Sequence, residues 1–334
     1  LLDQLLPASG ATPANITVND HSSGNTGEAP AILGVQIPDA IGACGGGATV
    51  TQAVNVINGQ LAAGGIVEVS FASPSPTQLN SSGACNWGGN ATEFPAVITP
   101  GNAAYNTYMY GEGCTSSSPC GGVWSLAQAL SQITSGHHVV LRILHEGNLC
   151  QSSWWWGTCG LGTGGTGTAS NANYVTLFKQ VINYLRSLGV SNIDVEYNFN
   201  NYSGAYSQND PGAYNASTNP GGRNLIGGDL YGPTTVAGVE SDLSNSSVGF
   251  TYAQTQGVPV LLGEAGVYSS TNSSVATFTY NNNIWVNAIQ AGSGITNLVG
   301  AVIWCQNWCL DCQLSAAGLM SNTITRGQLP VITN

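Results

Sequence analysis

The sequence predicts an α/β fold, a single (β/α)8 TIM barrel with long disulfide-stapled loops, and three observations carry that expectation. About eight strand-like apolar runs recur along the chain, separated by helical or loop segments at spacings suited to parallel crossovers. No composition break marks a linker within the 334 residues, and barrels of this kind run to about 250 residues and more as one unit. Nine cysteines, several of them close in sequence, can close the loops. One domain over 1–334 is therefore expected, with 1–14 as a lead segment.

Residues 1–14 mix apolar and polar types around Pro7 and Pro13 and predict no element. Asn15–Asp20 is a candidate first strand, and Thr26–Asp39 reads as a turn followed by a second. Thr51–Ala63 carries Ala53, Val54, Val56, Ile57, Leu61 and Ala62 at helical steps. Gly64–Pro76 is a buried strand running into a Pro-rich loop, and 80–121 reads as a long loop region of the kind that builds binding clefts. Trp124–Thr134 has helical period and leads into Val139–Gly157 (VVLRILHEGNLCQSSWWWG), where an apolar strand delivers His145 and Glu146 to its end ahead of three consecutive Trp. After the glycine run 157–167 comes Tyr174–Leu188, the clearest amphipathic helix, with Gly189 as its stop. Strands follow at Ile193–Phe199, Leu225–Tyr231, Val258–Gly266 and Val299–Trp308, with 200–223 loop-like between the first two.

Composition narrows the function. Charged residues make up 6% of the chain, the net charge is −11, and Lys179 is the single lysine. No basic patch can be assembled, which argues against nucleic acid or an acidic membrane surface as partner. A hydrophobic content of 42%, with eight Trp and thirteen Tyr, points to a real core rather than disorder. No run is long and apolar enough to span a bilayer, and no signal peptide is visible, so secretion implies a chain that starts after processing. So few carboxylates also mean little charge change as pH falls, which suits work in acid.

Cysteine usage favours an oxidising compartment. Cys114 with Cys120, and Cys150 with Cys159, are close enough to clip short loops; Cys44 and Cys85 follow two different strands and could join neighbouring loops. Cys305, Cys309 and Cys312 remain, leaving one thiol unpaired. The Asn-x-Ser/Thr sequons at Asn15, Asn80, Asn90, Asn201, Asn215, Asn245 and Asn272 permit glycosylation without implying it, since about six would arise by chance in so polar a chain.

The stretch 139–157 carries the chemistry. A carboxyl held among aromatic rings loses solvation and its pKa rises, as a general acid near neutral or mildly acidic pH requires. Flat indole faces beside it suit the apolar faces of sugar rings. The plainer alternative is a core strand ending in a polar pair with the Trp run as packing, although buried Glu is rare unless paired or functional.

The same stretch resembles the acid/base segment of glycoside hydrolase family 26, roughly R-P-x-H-E-x-x-G-x-W-F-W-W-G. Arg142, His145, Glu146, Asn148, Trp155, Trp156 and Gly157 can be laid on it, with two residues inserted before the Trp run and Ile143 in place of Pro. Five further segments are similar in the right order. TGEAPAILGVQIPD is similar to T-G-x-x-P-A-x-x-G-x-D with Gln36 in place of Asp, and GGIVEVSFA to G-G-I-V-T-V-S-W-H with Phe71 and Ala72 in place of Trp-His. GVSNIDVEYNFN resembles G-V-x-N-L-x-W-V-Y-x-P-N, the run ending in Asp229 and Tyr231 resembles V-G-x-D-x-Y, and VPVLLGEAG resembles K-P-V-x-L-T-E-x-G. The resemblance covers roughly 26–310.

What it implies is a retaining endo-glycosidase, with Glu146 as acid/base on the fourth strand and Glu264 as nucleophile on the seventh. Glycoside cleavage needs two carboxyl groups flanking the scissile bond, about 5–5.5 Å apart in retaining enzymes, and barrel chemistry sits where strands end. Arg142 and Tyr231 would orient and ionise Glu264, while His145, Asn148, Trp155, Trp156, Asp229 and Trp304 would support the site or contact sugar. Asp194, Glu196 and Asp229 compete for the carboxylate roles; Asp194 and Glu196 share one strand face by two-residue alternation, and a salt link or sugar contact is the commoner role for such residues.

The substrate the resemblance implies is β-1,4-mannan. Gln36, Phe71 and Ala72 depart from the pattern and leave mixed-linkage β-glucan or xylan open, and a barrel that binds carbohydrate at a cell surface without cleaving it is the reading from another class. No cofactor and no metal is expected. Cys305, Cys309 and Cys312 have radical-SAM spacing, but loop disulfides suit an oxidising compartment better. His138 and His145 face opposite ways on a strand, and Leu149 stands where a His-Glu-x-x-His helix needs its second His. The glycine runs lack the Lys-Ser/Thr of a phosphate loop. A secreted monomer with a polysaccharide substrate is the expectation.

Overall fold

The computed structural model describes residues 32–36, 50–62, 65–72, 75–76, 93–149, 154–158, 171–201, 206–231, 236–244, 249–266 and 298–303. Among them, seven strands form one parallel sheet in the order β1 to β7, each paired with the next in sequence. They are β1 (Ile32–Gln36), β2 (Ile66–Phe71), β3 (Val139–Ile143), β4 (Ile193–Asn200), β5 (Leu225–Tyr231), β6 (Val260–Gly266) and β7 (Leu298–Ile303). Parallel neighbours need a crossover. Helix α1 (Val50–Ala62) provides the first, α2 (Glu93–Val97), α3 (Ala103–Tyr110) and α4 (Gly122–Leu130) the second, and α5 (Asn171–Ser187) the third. The short α6 (Tyr206–Asn209) lies between β4 and β5, and α7 (Val236–Ser244) and α8 (Gly249–Thr255) between β5 and β6. Cα atoms of β1 and β7, the first and last strands in that order, approach within 8 Å, so the sheet curls towards itself.

The amphipathic helix runs over Asn171–Ser187, one turn longer at its start than its periodicity predicts. It buries Tyr174, Leu177, Phe178, Val181, Ile182 and Leu185, one stripe at three- and four-residue steps. Gly189 ends it at φ +86°, with the Val190 N–H returning to Leu185 O and Gly189 N–H to Arg186 O, the paired bonds of a glycine cap. Elsewhere the expected elements differ. The region 80–121, expected as loop, contains α2 and α3: Asn102 caps α3 by accepting the Ala104 N–H, and Ala104, Tyr108, Met109 and Tyr110 bury against the core. The loop between α3 and α4 is closed by the Cys114–Cys120 disulfide. Helices α7 and α8 are also absent from the sequence prediction. The other cysteines, the candidate strand at 15–20 and Trp304 lie outside the described residues. Of the sequons, Asn201 is buried and Asn215 is exposed.

Alternation along the strands sorts the core into two sides. Val67, Val69, Phe71, Leu141, Ile143, Val195, Tyr197, Phe199 and Leu230 join the large apolar cluster that includes the helices. On the opposite side Val140, Leu225 and Leu261, with Ile66 against them, form a small separate apolar cluster. Two residues further along those strands stand Arg142, Gly227, Gly263 and Glu68, so an apolar floor gives way to a polar layer towards the strand C-termini.

Candidate active site

The chain leaves β3 through a turn with two residues in the left-handed region, Leu144 at φ +47° and Glu146 at φ +50°. Non-glycine residues rarely adopt it, and where they do the surroundings must hold them there. Tyr174 O–H donates to Leu144 O at 2.8 Å, and the Glu146 N–H donates to Asn198 Oδ1 at 3.1 Å. Thr158 donates to Gly147 O through both its N–H and its hydroxyl. Gly147 has to be glycine, because a Cβ there would lie 2.0 Å from the Tyr174 ring.

These constraints aim the Glu146 carboxyl at two donors. Asn200 Nδ2 donates to Oε1 at 2.8 Å and Trp154 Nε1 to Oε2 at 3.0 Å. Asn148 secures the partner: its Nδ2 donates to Asn200 O and its Oδ1 accepts the Asn200 N–H. Burial, and then the charge of Glu264, push the Glu146 carboxyl above its ordinary value, against the opposing hydrogen bonds of Asn200 and Trp154 and the charge of Arg142.

The three indoles divide their tasks. Trp155 is fully buried and packs edge-on against Tyr108 at 5.3 Å and near Phe94 at 5.9 Å. Trp156 is fully buried too and donates to His145 O at 2.8 Å. The indole that reaches the carboxyl is half-buried Trp154, stacked on Trp156 at 5.0 Å and 10°. The family resemblance points to Trp155 and Trp156, and a run of three Trp in a loop offers no period that would single out the first. The His145 ring meets Trp154 edge-on at 4.4 Å; burial, then Arg142, hold its pKa well below the ordinary value, so it is neutral.

Glu264 arrives from β6. Plain alternation would turn it the way of Leu262, into the helix-side core. The register between β6 and β7 shifts between Leu262 and Ala265, and that between β5 and β6 shifts at Gly228/Asp229. Such irregularities re-aim side chains, and Glu264 Oε1 lies 2.6 Å from Arg142 Nη1. Arg142 Nη2 also donates to Asp229 Oδ2 at 2.5 Å. Asn198 links the groups, accepting the Glu146 N–H while its Nδ2 donates to Asp229 Oδ1 at 2.8 Å and Glu196 Oε1 at 3.1 Å. Burial alone would lower Arg142, but Asp229, Glu264, Glu68 and Glu196 together raise it well above its ordinary value.

The structure thus brings Arg142, His145, Glu146, Asn148, Asp229 and Glu264 to one end of the sheet, with Tyr231 closing β5 two residues after Asp229. Asp194, further back on β4, pairs instead with His138 at 3.6 Å. Trp154, Asn198, Asn200 and Glu68, whose Oε1 is 3.8 Å from Arg142 Nη1, are site neighbours that the sequence did not reveal. Among the described residues no group of three His, Cys, Asp or Glu could hold a metal ion. Chemically, the arrangement offers one carboxyl biased to hold its proton and a second in direct contact with a guanidinium.

No protein-family model and no curated protein matches the sequence. Solved structures do. A Bacillus subtilis mannanase superposes with a TM-score of 0.64 at 16% identity, over 88% of this chain and 76% of that one. A GH26 β-mannanase from Bacteroides ovatus gives 0.63 at 17%, over 90% and 80%. The chain has a GH26 mannanase-like fold. The catalytic domain of a GH26 endo-β-1,4-mannanase from Bacillus sp. JAMB-750 shares that GH26 fold at a TM-score of 0.62 and 16% identity, over 91% and 72%.

Proposed function

We propose that this chain is a secreted, retaining endo-glycosidase that hydrolyses a β-linked polysaccharide, β-1,4-mannan first among the candidates. The observation that carries the reading is the convergence of Glu146 and Glu264, from β3 and β6, around Arg142 at the C-terminal end of a parallel sheet. Glu146, pushed towards its protonated form, acts as the acid that protonates the leaving oxygen and later as the base that activates water. Glu264, paired with Arg142, is the nucleophile that forms the glycosyl-enzyme. Asp229, Asn148 and His145 hold the surrounding network, Tyr231 orients Glu264, and Trp154 with Trp304 offers sugar an aromatic face. Trp155 and Trp156 act from behind, by fixing Trp154 and the His145 backbone. The described sheet belongs to a (β/α)8 barrel forming one domain over the whole chain, which works as a monomer.

The test is reducing-sugar release from mannan, mixed-linkage β-glucan and xylan, with proton NMR of the first product. Wild-type protein should release β-anomeric product. Glu146→Ala should lose about 10²–10⁴-fold in kcat on unactivated substrate, and Glu264→Ala should leave no measurable turnover. Unchanged activity in either variant removes that residue from its role, and an α-anomeric first product removes the retaining mechanism.

A further inference from the structure

Beneath the guanidinium lies a pair of acids that the proposed chemistry leaves unused. Glu68 on β2 and Glu196 on β4 flank Arg142 on β3, at 2% and 0% exposure. Glu68 Oε1 is 3.8 Å from Arg142 Nη1, and its Oε2 has no hydrogen-bond partner among the described residues. Glu196 Oε1 accepts from Asn198, while Oε2 is unpartnered among the described residues. The Glu196 carboxyl occupies a notch that glycine leaves open: a Cβ on Gly227 would lie 1.6 Å from Oε1, and one on Gly263 2.9 Å away. In the family segments set out above, Thr and Val stand where this chain has Glu68 and Glu196.

Glu196 faces Glu68 from β2, Arg142 from β3, Asp229 from β5 and Glu264 from β6. Its own strand adds Asn198, and Asp194, whose side chain pairs with His138. Four carboxyls therefore surround one guanidinium, and His145 is neutral. Asp229 and Glu264 touch that guanidinium at 2.5 and 2.6 Å. Further buried negative charges would go without a partner, a state that buried groups escape by keeping their protons.

We propose, building on the glycosidase reading, that Glu68 and Glu196 are positioning residues that work as neutral acids. Protonated, they leave Arg142 to Asp229 and Glu264; when Glu196 releases its proton to solvent, the added negative charge competes for Arg142, loosens its hold on Glu264 and turns the site off. For these two residues the direction of titration is consistent with this; burial raises Asp229 as well, and it is the 2.5 Å contact with Arg142 that singles Asp229 out as the charged partner. Burial, then Glu196, raise Glu68 well above its ordinary value, and burial raises Glu196 to about 7.

Two measurements test the proposal. In pH profiles of kcat and KM, Glu196→Gln and Glu68→Gln, which mimic the neutral acid, should keep most of the turnover on the acid side. At least one should move the alkaline limb of kcat up by about one pH unit, with KM little changed, whereas Glu196→Ala should lose turnover at every pH. An alkaline limb that stays put in both Gln variants overturns the proposal while leaving the glycosidase reading intact. Infrared spectra across the same pH range need no activity. The wild type should show buried protonated-carboxyl bands that vanish one by one in Glu196→Gln and Glu68→Gln, and their absence at about pH 5 overturns the proposal. Bands present in a protein that cleaves no polysaccharide defeat the glycosidase reading and uphold the protonated pair. Should Glu196→Gln fail to fold, Glu68→Gln and the wild-type spectra decide.

Discussion

At the scale of single residues, the carboxyl of Glu146 is governed by opposing influences that can be removed one at a time. Burial and Glu264 raise its pKa; the Asn200 amide and the Trp154 indole N–H lower it, because both stabilise the charged form. Trp154→Phe deletes one lowering influence and keeps most of the ring. Glu146 should then titrate higher, and its protonated-carboxyl band, identified by its loss in Glu146→Gln, should persist in infrared spectra to a pH higher by about half to one unit; a downward shift would contradict the assignment. Asn198→Ala should be harsher, since Asn198 accepts the Glu146 N–H and donates to Asp229. A loss of about 10²-fold in kcat is expected from a misplaced acid, measured on whichever polysaccharide the wild type cleaves. Glu146, Glu264 and Arg142 could be read from the sequence because each interrupts or closes an apolar strand within a segment that matches the family pattern at that position, whereas Glu68 interrupts one where the pattern has Thr. Asn198 and Asn200 could not, although they continue the inward alternation of Asp194 and Glu196: an asparagine on a strand has no chemical signature until its partners, far off in sequence, are in place.

At the scale of elements, glycines set how closely the polar layer can be packed. Gly147→Ala would drive a methyl group into the Tyr174 ring, and Gly227→Ala would displace the Glu196 carboxyl. Each should cost about 1–3 kcal/mol as an overpacked core does, read as a lowered denaturant midpoint at unchanged m-value. Gly101→Ala, with open space around its Cβ position but φ +87°, gives a control for backbone strain alone. The apolar strands and the long helix α5 were legible because their period persists over many residues. Helices α2, α3, α7 and α8 escaped because they are short and sit among Gly, Ser, Thr and Pro that read as loop, whereas the equally short α4 carries Val123, Leu126, Ala127 and Leu130 at helical steps; α3 owes its start to the Asn102 cap rather than to an apolar stripe. The turn of Glu264 towards Arg142 escaped for another reason: it depends on register shifts between strands, which alternation within one strand does not encode.

At the scale of the whole molecule, the scarcity of cations governs how stability depends on pH. The folded Glu196 titrates near 7 against 4.5 for an ordinary glutamate, because burial disfavours its charge. Its contribution to stability is therefore complete below about pH 4.5 and is lost as pH rises through about 7. The difference is about 3 kcal/mol, and Glu68 and Glu146 act in the same direction. Scanning calorimetry should find a higher Tm near pH 5 than near pH 8, and Glu196→Gln should flatten that slope; a Tm that climbs with pH would refute the account.

Because every described strand lies beside its successor in the chain, no pairing between neighbours has to wait for an element beyond the next strand. Each strand and its crossover can dock on the unit made just before it, so assembly can proceed by accretion, with modest loop-closure entropy at each step. The acidic network, drawn from β2 through β6, becomes complete only when the last of those units arrives. Early intermediates would thus carry their glutamates hydrated, and the cost of desolvating them would fall late, on the side of the folding barrier nearest the native state.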